Sequence, residues 1–160
     1  MNFDSVLRGI HIGAGIIGLI LGAVALSVTK RPGLHPRLGT VYFGVVTALS
    51  STGAVLAILD WQRFGFFLII AIGTQISGLI GYFAARKKGR HWLVIHVAGQ
   101  GSSYNAMVIA ALVTNWERLT GTSGMDSFVP WLIPGFLGSF ATLWGMYQVR
   151  MGKLPKLYPK

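Results

Sequence analysis

Residues 86–115 read RKKGRHWLVIHVAGQGSSYNAMVIAALVTN, a basic segment that runs into a long apolar segment with a polar seam. Because a helix turns by about 100° per residue, side chains three, four and seven positions apart share one face. One such stripe contains His96, Gly99, Gln100, Ser103 and Met107. An ionisable group at membrane depth usually faces the interior of a helix bundle and carries a function. We therefore expect this helix to organise the protein around His96, with Asn105 on its opposite face.

The composition is that of a membrane protein. Of the 160 residues, 52% are hydrophobic and 11% are charged, whereas soluble domains carry about 25% charged residues. The mean hydropathy is +0.60. The length suits one domain, residues 1–160. The chain has no cysteine, which excludes disulfides, thiolate metal sites and iron–sulfur clusters.

Five apolar segments reach the length of about 20 residues that a helix needs to cross a bilayer. They cover residues 10–28, 40–59, 65–84, 93–113 and 129–147. The connections between them are short, as between antiparallel neighbours of a bundle. The sequence thus predicts an all-α integral membrane bundle of five transmembrane helices. We expect the first segment to be retained rather than removed as a signal peptide, because its positive cluster follows the apolar residues.

The charges are divided unevenly between the two sides of this five-span arrangement. One side receives eleven of the 14 Lys and Arg residues, and the other receives three together with all four acidic residues. The positive-inside rule then places the N-terminus outside and the C-terminus in the cytoplasm of a bacterial inner membrane. The net charge of +10 is explained by this topology, so we expect no nucleic-acid partner. We expect anionic lipid head groups to contact the cations of the first two cytoplasmic loops: Lys30, Arg31, Arg37, Arg86, Lys87, Lys88 and Arg90.

The sequence does not place acidic, histidine and serine side chains close enough together for a conventional catalytic site. The acidic side chains lie across the bilayer from the cytoplasmic histidines, roughly 30 Å away. The P-loop, Rossmann and HExxH patterns are absent from the sequence. His96 and Ser103 lie about 10 Å apart along the helix axis, which is too far for a Ser–His dyad. The sequence therefore argues against a conventional enzyme.

Three functions remain open. The first is a b-type haem or other small ligand held through His35 and His96, the candidate metal ligands, which begin helices on the same side. Glycine faces could make room for a porphyrin, although His96 would lie about 7 Å deeper than His35. The second is an accessory subunit of a larger membrane complex, such as a respiratory or photosynthetic one, or an assembly of copies of this chain. The third is a small-molecule or lipid-binding or transport protein, with a pocket lined by His96, Gln100 and Ser103. The simplest alternative is that His96 only hydrogen-bonds a neighbouring helix.

Local patterns give three further predictions. Pro36 disfavours helical geometry at the preceding residue, so we expect His35 in an extended or cap position. Gln75 needs a polar partner within hydrocarbon, and Gln100 is the candidate. In the first segment, Gly18 and Gly22 are four residues apart and share one helix face. This spacing of small residues lets another helix approach closely.

Two segments resemble the signatures of an uncharacterised family of bacterial polytopic membrane proteins, filed as domain of unknown function 2306. They are HPRLGTVYFG at residues 35–44 and HVAGQGSSYNAMVIAALVTN at residues 96–115. Gln100 stands where the resemblance leads us to expect a methionine. The resemblance covers roughly residues 8–115 and implies a membrane helical fold without an assigned activity. The matching positions are His35, Arg37, Gly39 and Tyr42 in the first segment, and His96, Gly99, Gly101, Ser103 and Tyr104 in the second.

Overall fold

The computed structural model describes residues 2–30 and 32–152, and the regular elements within these ranges are all α-helices. They are α1 (Phe3–Ser27), α2 (Leu34–Leu59), α3 (Trp61–Phe64), α4 (Phe67–Lys87), α5 (Trp92–Thr120) and α6 (Val129–Arg150). The α3 helix is a single turn, and each of the other five coincides with one predicted apolar segment. The prediction of an all-α protein is confirmed.

Membrane character is visible in the helix lengths and on the surface. Within the described residues, α1, α2, α4 and α6 are long and apolar enough to cross a membrane. The α5 helix has 29 residues, but its polar stripe lowers its hydropathy below theirs. Large apolar side chains lie on the outside, with Ile69 67% and Phe136 72% exposed. Apolar surface of this kind suits contact with lipid.

Four helices close into a ring. The α1 helix packs on α2, α2 on α4 and α4 on α5, and a smaller contact joins α5 back to α1. The α6 helix packs on the outside of α5. The centre of the ring is formed by Tyr42, Val46 and Met107, which are almost fully buried. Because α5 touches α1, α4 and α6, its polar stripe is turned towards protein rather than lipid.

Glycines set the closest helix approaches. A Cβ atom added at Gly99 would lie 2.5 Å from the backbone nitrogen of Gly81, so α4 and α5 meet backbone to backbone. On α1, a Cβ atom at Gly18 would lie 2.6 Å from Cε of Met107, and one at Gly22 would overlap the ring of Tyr104. These α1 glycines make room for side chains of α5, Met107 and Tyr104, and Val45 and Tyr42 of α2 also lie close to them. They admit neighbouring side chains, whereas the prediction was a close approach of another helix.

The start of α2 differs from the sequence prediction. Gly33, with φ of 115°, precedes the helix, which begins at Leu34. Pro36 is therefore the third helical residue, where a backbone N–H would have no partner within the helix. The prediction of an extended or cap conformation for His35 is wrong, because the helix begins two residues before the proline instead of at it.

Candidate functional site

His35 and His96 lie next to each other at one end of the bundle. Their ring centroids are 6.2 Å apart and their planes are nearly perpendicular, at 85°. The sequence predicts that His96 lies about 7 Å deeper than His35. This difference does not keep the rings apart, because the side chain of His35 on α2 and that of His96 on α5 extend towards each other. The indole of Trp92 lies 6.5 Å from the imidazole of His96, measured between ring centroids. The structure thus brings together the two histidines that the sequence singles out.

Each imidazole is anchored by the same kind of contact. Nδ1 of His35 lies 3.1 Å from the carbonyl oxygen of Ala25 in the last turns of α1. Nδ1 of His96 lies 2.9 Å from the carbonyl oxygen of Gly81 in α4. Because a carbonyl oxygen only accepts, each Nδ1 carries the proton and donates it. In the neutral ring, Nε2 then holds a free lone pair.

Lys30 supplies a positive charge beside this pair. Its Nζ donates to three carbonyl oxygens at the end of α1, those of Ala25, Leu26 and Val28, over 2.6–2.9 Å. This arrangement places a cation at the negative end of the helix dipole. Burial lowers the pKa of the Lys30 amine. All three of its N–H groups are engaged, so none is left for the lipid head group that the sequence suggests.

Lys30 and His35 share one acceptor, since the Nζ of Lys30 and the Nδ1 of His35 lie 2.9 and 3.1 Å from the carbonyl oxygen of Ala25. The sequence identifies Lys30 only as one cation of a basic loop. Its place beside the histidines depends on how the end of α1 meets α2 and α5. The signal that could have found it is its position three residues after the end of α1, since basic side chains often bind the last carbonyls of a helix.

The other two predicted ligands lie farther along the stripe. Nε2 of Gln100 donates to the carbonyl oxygen of Gly78 over 3.1 Å. Ser103 is fully buried, and its hydroxyl lies beside the hydroxyl of Tyr42. Both residues lie in the contact between α4, α5 and the centre of the bundle. They are therefore separated from the histidine pair by one and two helical turns.

Gln75 finds a different partner from the predicted one. Its Nε2 donates to Oγ1 of Thr47 over 3.2 Å, so the prediction of a bond with Gln100 is wrong. Gln100 donates instead to the carbonyl oxygen of Gly78, so it does not need Gln75 as a hydrogen-bond partner. The Oε1 of Gln75 and the Oγ of Ser50 are buried without partners in the part of the chain that the structure describes. Such atoms commonly bind ordered water.

The remaining basic residues of the predicted head-group set fall into distinct environments. Arg86 donates to Thr40 and Tyr82 and stacks its guanidinium on the Tyr82 ring. Arg37 is exposed on α2. Arg31 lies outside the described residues. Three exposed cations follow one another at the junction of α4 and α5: Lys87, Lys88 and Arg90.

Comparisons with known proteins do not assign the chain to a family. No family model, curated protein or solved structure matches the chain. Membership of the uncharacterised family therefore stays a prediction. Among the described residues, no group of three or more His, Cys, Asp or Glu side chains could hold a metal ion. The candidate site thus consists of two histidines with a nearby lysine.

Proposed function

We propose that the chain is a five-span protein of a bacterial inner membrane whose paired histidines, His35 and His96, bind a metal ion at the cytoplasmic surface. The observation that carries this proposal is the close approach of the two imidazoles, each with Nδ1 on a backbone carbonyl. Backbone hydrogen bonds of this kind orient histidines that ligate metals through Nε2. The chain's own contribution is to bring the two imidazole rings to a centroid distance of 6.2 Å, with Nδ1 of each engaged and Nε2 of each left as the ligand atom.

The fifth span of this proposal is α5. At 29 residues it is about 43 Å long, more than a bilayer core requires. Its polar side chains lower its hydropathy, but His96 and Gln100 bond to α4 and Asn105 bonds to α6, so all three are turned towards protein. With α5 counted, the eleven-to-three distribution of cations supports an external N-terminus and a cytoplasmic C-terminus.

Borderline transition metals suit imidazole ligands, and copper and zinc are the main candidates. Lys30 shares the Ala25 carbonyl with His35, so its positive charge lies beside the histidine pair, and this charge repels a divalent ion more than a monovalent one. Two protein ligands are also fewer than the three or four that zinc normally takes from a protein. Monovalent copper is therefore the ion that this site would hold best.

The same histidines could ligate a haem iron, but several of the glycines that the sequence offers as room for a porphyrin are filled. Gly99 contacts Gly81, and Gly18 and Gly22 are covered by Met107 and Tyr104. A single ion needs less room between the helices than a haem. The segments that resemble the family signatures each begin with one of these histidines, so we propose the same site for that family.

The test is copper binding by the purified full chain. A titration with Cu(I) under anaerobic conditions, against a chromophoric chelator, should give one copper per chain, and Zn²⁺ should bind more weakly. His35→Ala and His96→Ala should each lower copper affinity at least tenfold. His96→Gln should lose copper but keep the melting temperature, because its amide can still donate to the Gly81 carbonyl.

His11 gives the matched control. Its Nδ1 also lies on a backbone carbonyl, that of Leu49 at 3.2 Å, but near the opposite end of the bundle. His11→Ala should therefore leave copper binding unchanged. Equal copper binding by the wild type and both site variants would overturn the proposal. A Soret band in the purified protein that disappears in both variants would replace the ion with haem.

A further inference from the structure

A groove opens on the lipid-facing surface where α4 ends and α5 begins. Its volume is about 250 Å³. One wall is apolar and the rim is basic. The wall is formed by Ile80, Phe83, Ala84 and Ile95, and the rim carries Lys87 and Arg90.

The apolar wall lies at the depth of lipid chains. Ile80 and Phe83 are 51% and 47% exposed on α4, which is one of the helices long and apolar enough to span a membrane. Ile95 of α5 is 40% exposed beside them. A bilayer would therefore place hydrocarbon chains against this wall.

Within residues 2–30 and 32–152, no side-chain carboxylate lies near the basic rim. The four acidic residues of the chain are Asp4 at the start of α1, Asp60 after α2, Glu117 in the last turn of α5 and Asp126 before α6. All four lie at the other end of helices that are roughly 30 Å or more in length. The described part of the chain thus offers these exposed cations no acidic side chain, and a negative group from outside the protein can bind them.

The turn between the helices holds the rim in a defined shape. The backbone N–H of Lys88 donates to Ala84 over 3.0 Å, and that of Trp92 donates to Gly89 over 3.1 Å. Lys88 and His91 both have positive φ values, 48° and 62°, which turn the chain sharply at each end of this segment. Lys87 and Arg90 are therefore carried on an ordered turn at the membrane boundary.

We infer that this groove binds one anionic phospholipid, with its phosphate on Lys87 and Arg90 and an acyl chain along Ile80, Phe83 and Ile95. Basic pockets between transmembrane helices recognise lipid head groups in this way. A soluble anion would use the rim but not the wall. The inference rests on α4 as a spanning helix and does not depend on the histidine pair.

The experiment measures lipid retention by the full chain in native mass spectrometry from detergent. Phosphatidylglycerol and phosphatidylcholine of the same acyl composition are offered in competition. The wild type should prefer phosphatidylglycerol, and Lys87→Glu combined with Arg90→Glu should lower that preference at least 25-fold, since each lost cation accounts for about fivefold. Free glycerol phosphate should not compete.

Arg63→Glu combined with Arg118→Glu is the matched control. It makes the same change in net charge through two exposed arginines that the five-span arrangement places on the opposite side, away from the groove. Ala84→Trp fills the groove without changing charge and should also reduce lipid retention. An equal loss of phosphatidylglycerol preference in the control pair would show that the effect comes from general surface charge and not from the groove. Unchanged retention in both the rim pair and Ala84→Trp would show that the groove binds no lipid, and competition by glycerol phosphate would assign the rim to a soluble anion.

Discussion

Replacing Gly99 by alanine tests the contact that holds α4 against α5. The added methyl group would lie 2.5 Å from the backbone nitrogen of Gly81, 2.6 Å from the carbonyl oxygen of Ser77 and 2.7 Å from Cα of Gly81. All three are backbone atoms, so no side-chain rotation relieves the overlap and the helices must move apart. Overpacking costs up to about 3 kcal/mol in such cases.

A gain in helix propensity offsets part of this cost. Alanine is favoured over glycine in a helix by about 1 kcal/mol. The expected net loss for Gly99→Ala is thus about 2 kcal/mol, a factor of roughly 30 in the unfolding equilibrium. Unfolding with SDS in mixed micelles, followed by circular dichroism, measures this change.

Gly73 on α4 provides the control for the same substitution. It is exposed, and a Cβ atom there would meet nothing within 4 Å. Gly73→Ala should therefore be neutral or slightly stabilising. If Gly99→Ala is as stable as Gly73→Ala, α4 and α5 do not meet at these glycines. The anchoring of His96 on the Gly81 carbonyl would then be wrong as well.

Two further predictions concern topology and the α1–α5 contact. A reporter at the C-terminus should behave as cytoplasmic and one within residues 121–128 as external; a cytoplasmic signal from the latter would overturn the five-span arrangement. Gly18→Leu and Gly22→Leu should both lower the melting temperature in detergent, Gly22→Leu more strongly. The end of Met107 can swing away from position 18, whereas the ring of Tyr104 at position 22 is held by its hydroxyl on the Leu19 carbonyl. Equal melting temperatures for wild type and both variants would mean that this face of α1 is turned to lipid.

The helices and their inward faces could be predicted from the sequence. Apolar length and helical periodicity are local properties, and both act before any helix meets another. The stripe of α5 faces the protein for this reason, with Gly99, Ser103 and Met107 buried on it. Asn105, on the opposite face, lies against Gly138 and the carbonyl of Gly135 on α6. The inward face of each helix can be predicted from the sequence because a polar side chain within a bilayer must turn towards protein.

Which residues of other helices contact these inward faces is determined only by the tertiary structure. Gln75 binds Thr47 instead of Gln100, and His35 reaches the Ala25 carbonyl from within a helix that begins earlier than its proline suggests. Helices in a membrane gain little from apolar burial against one another, so their rotation and depth follow from where small residues allow backbones to touch. The Gly81–Gly99 contact sets the position of α5 on α4. That packing brings His96 to His35 and Lys30, because the distance between side chains on different helices depends on how the backbones pack and not on spacing along the chain.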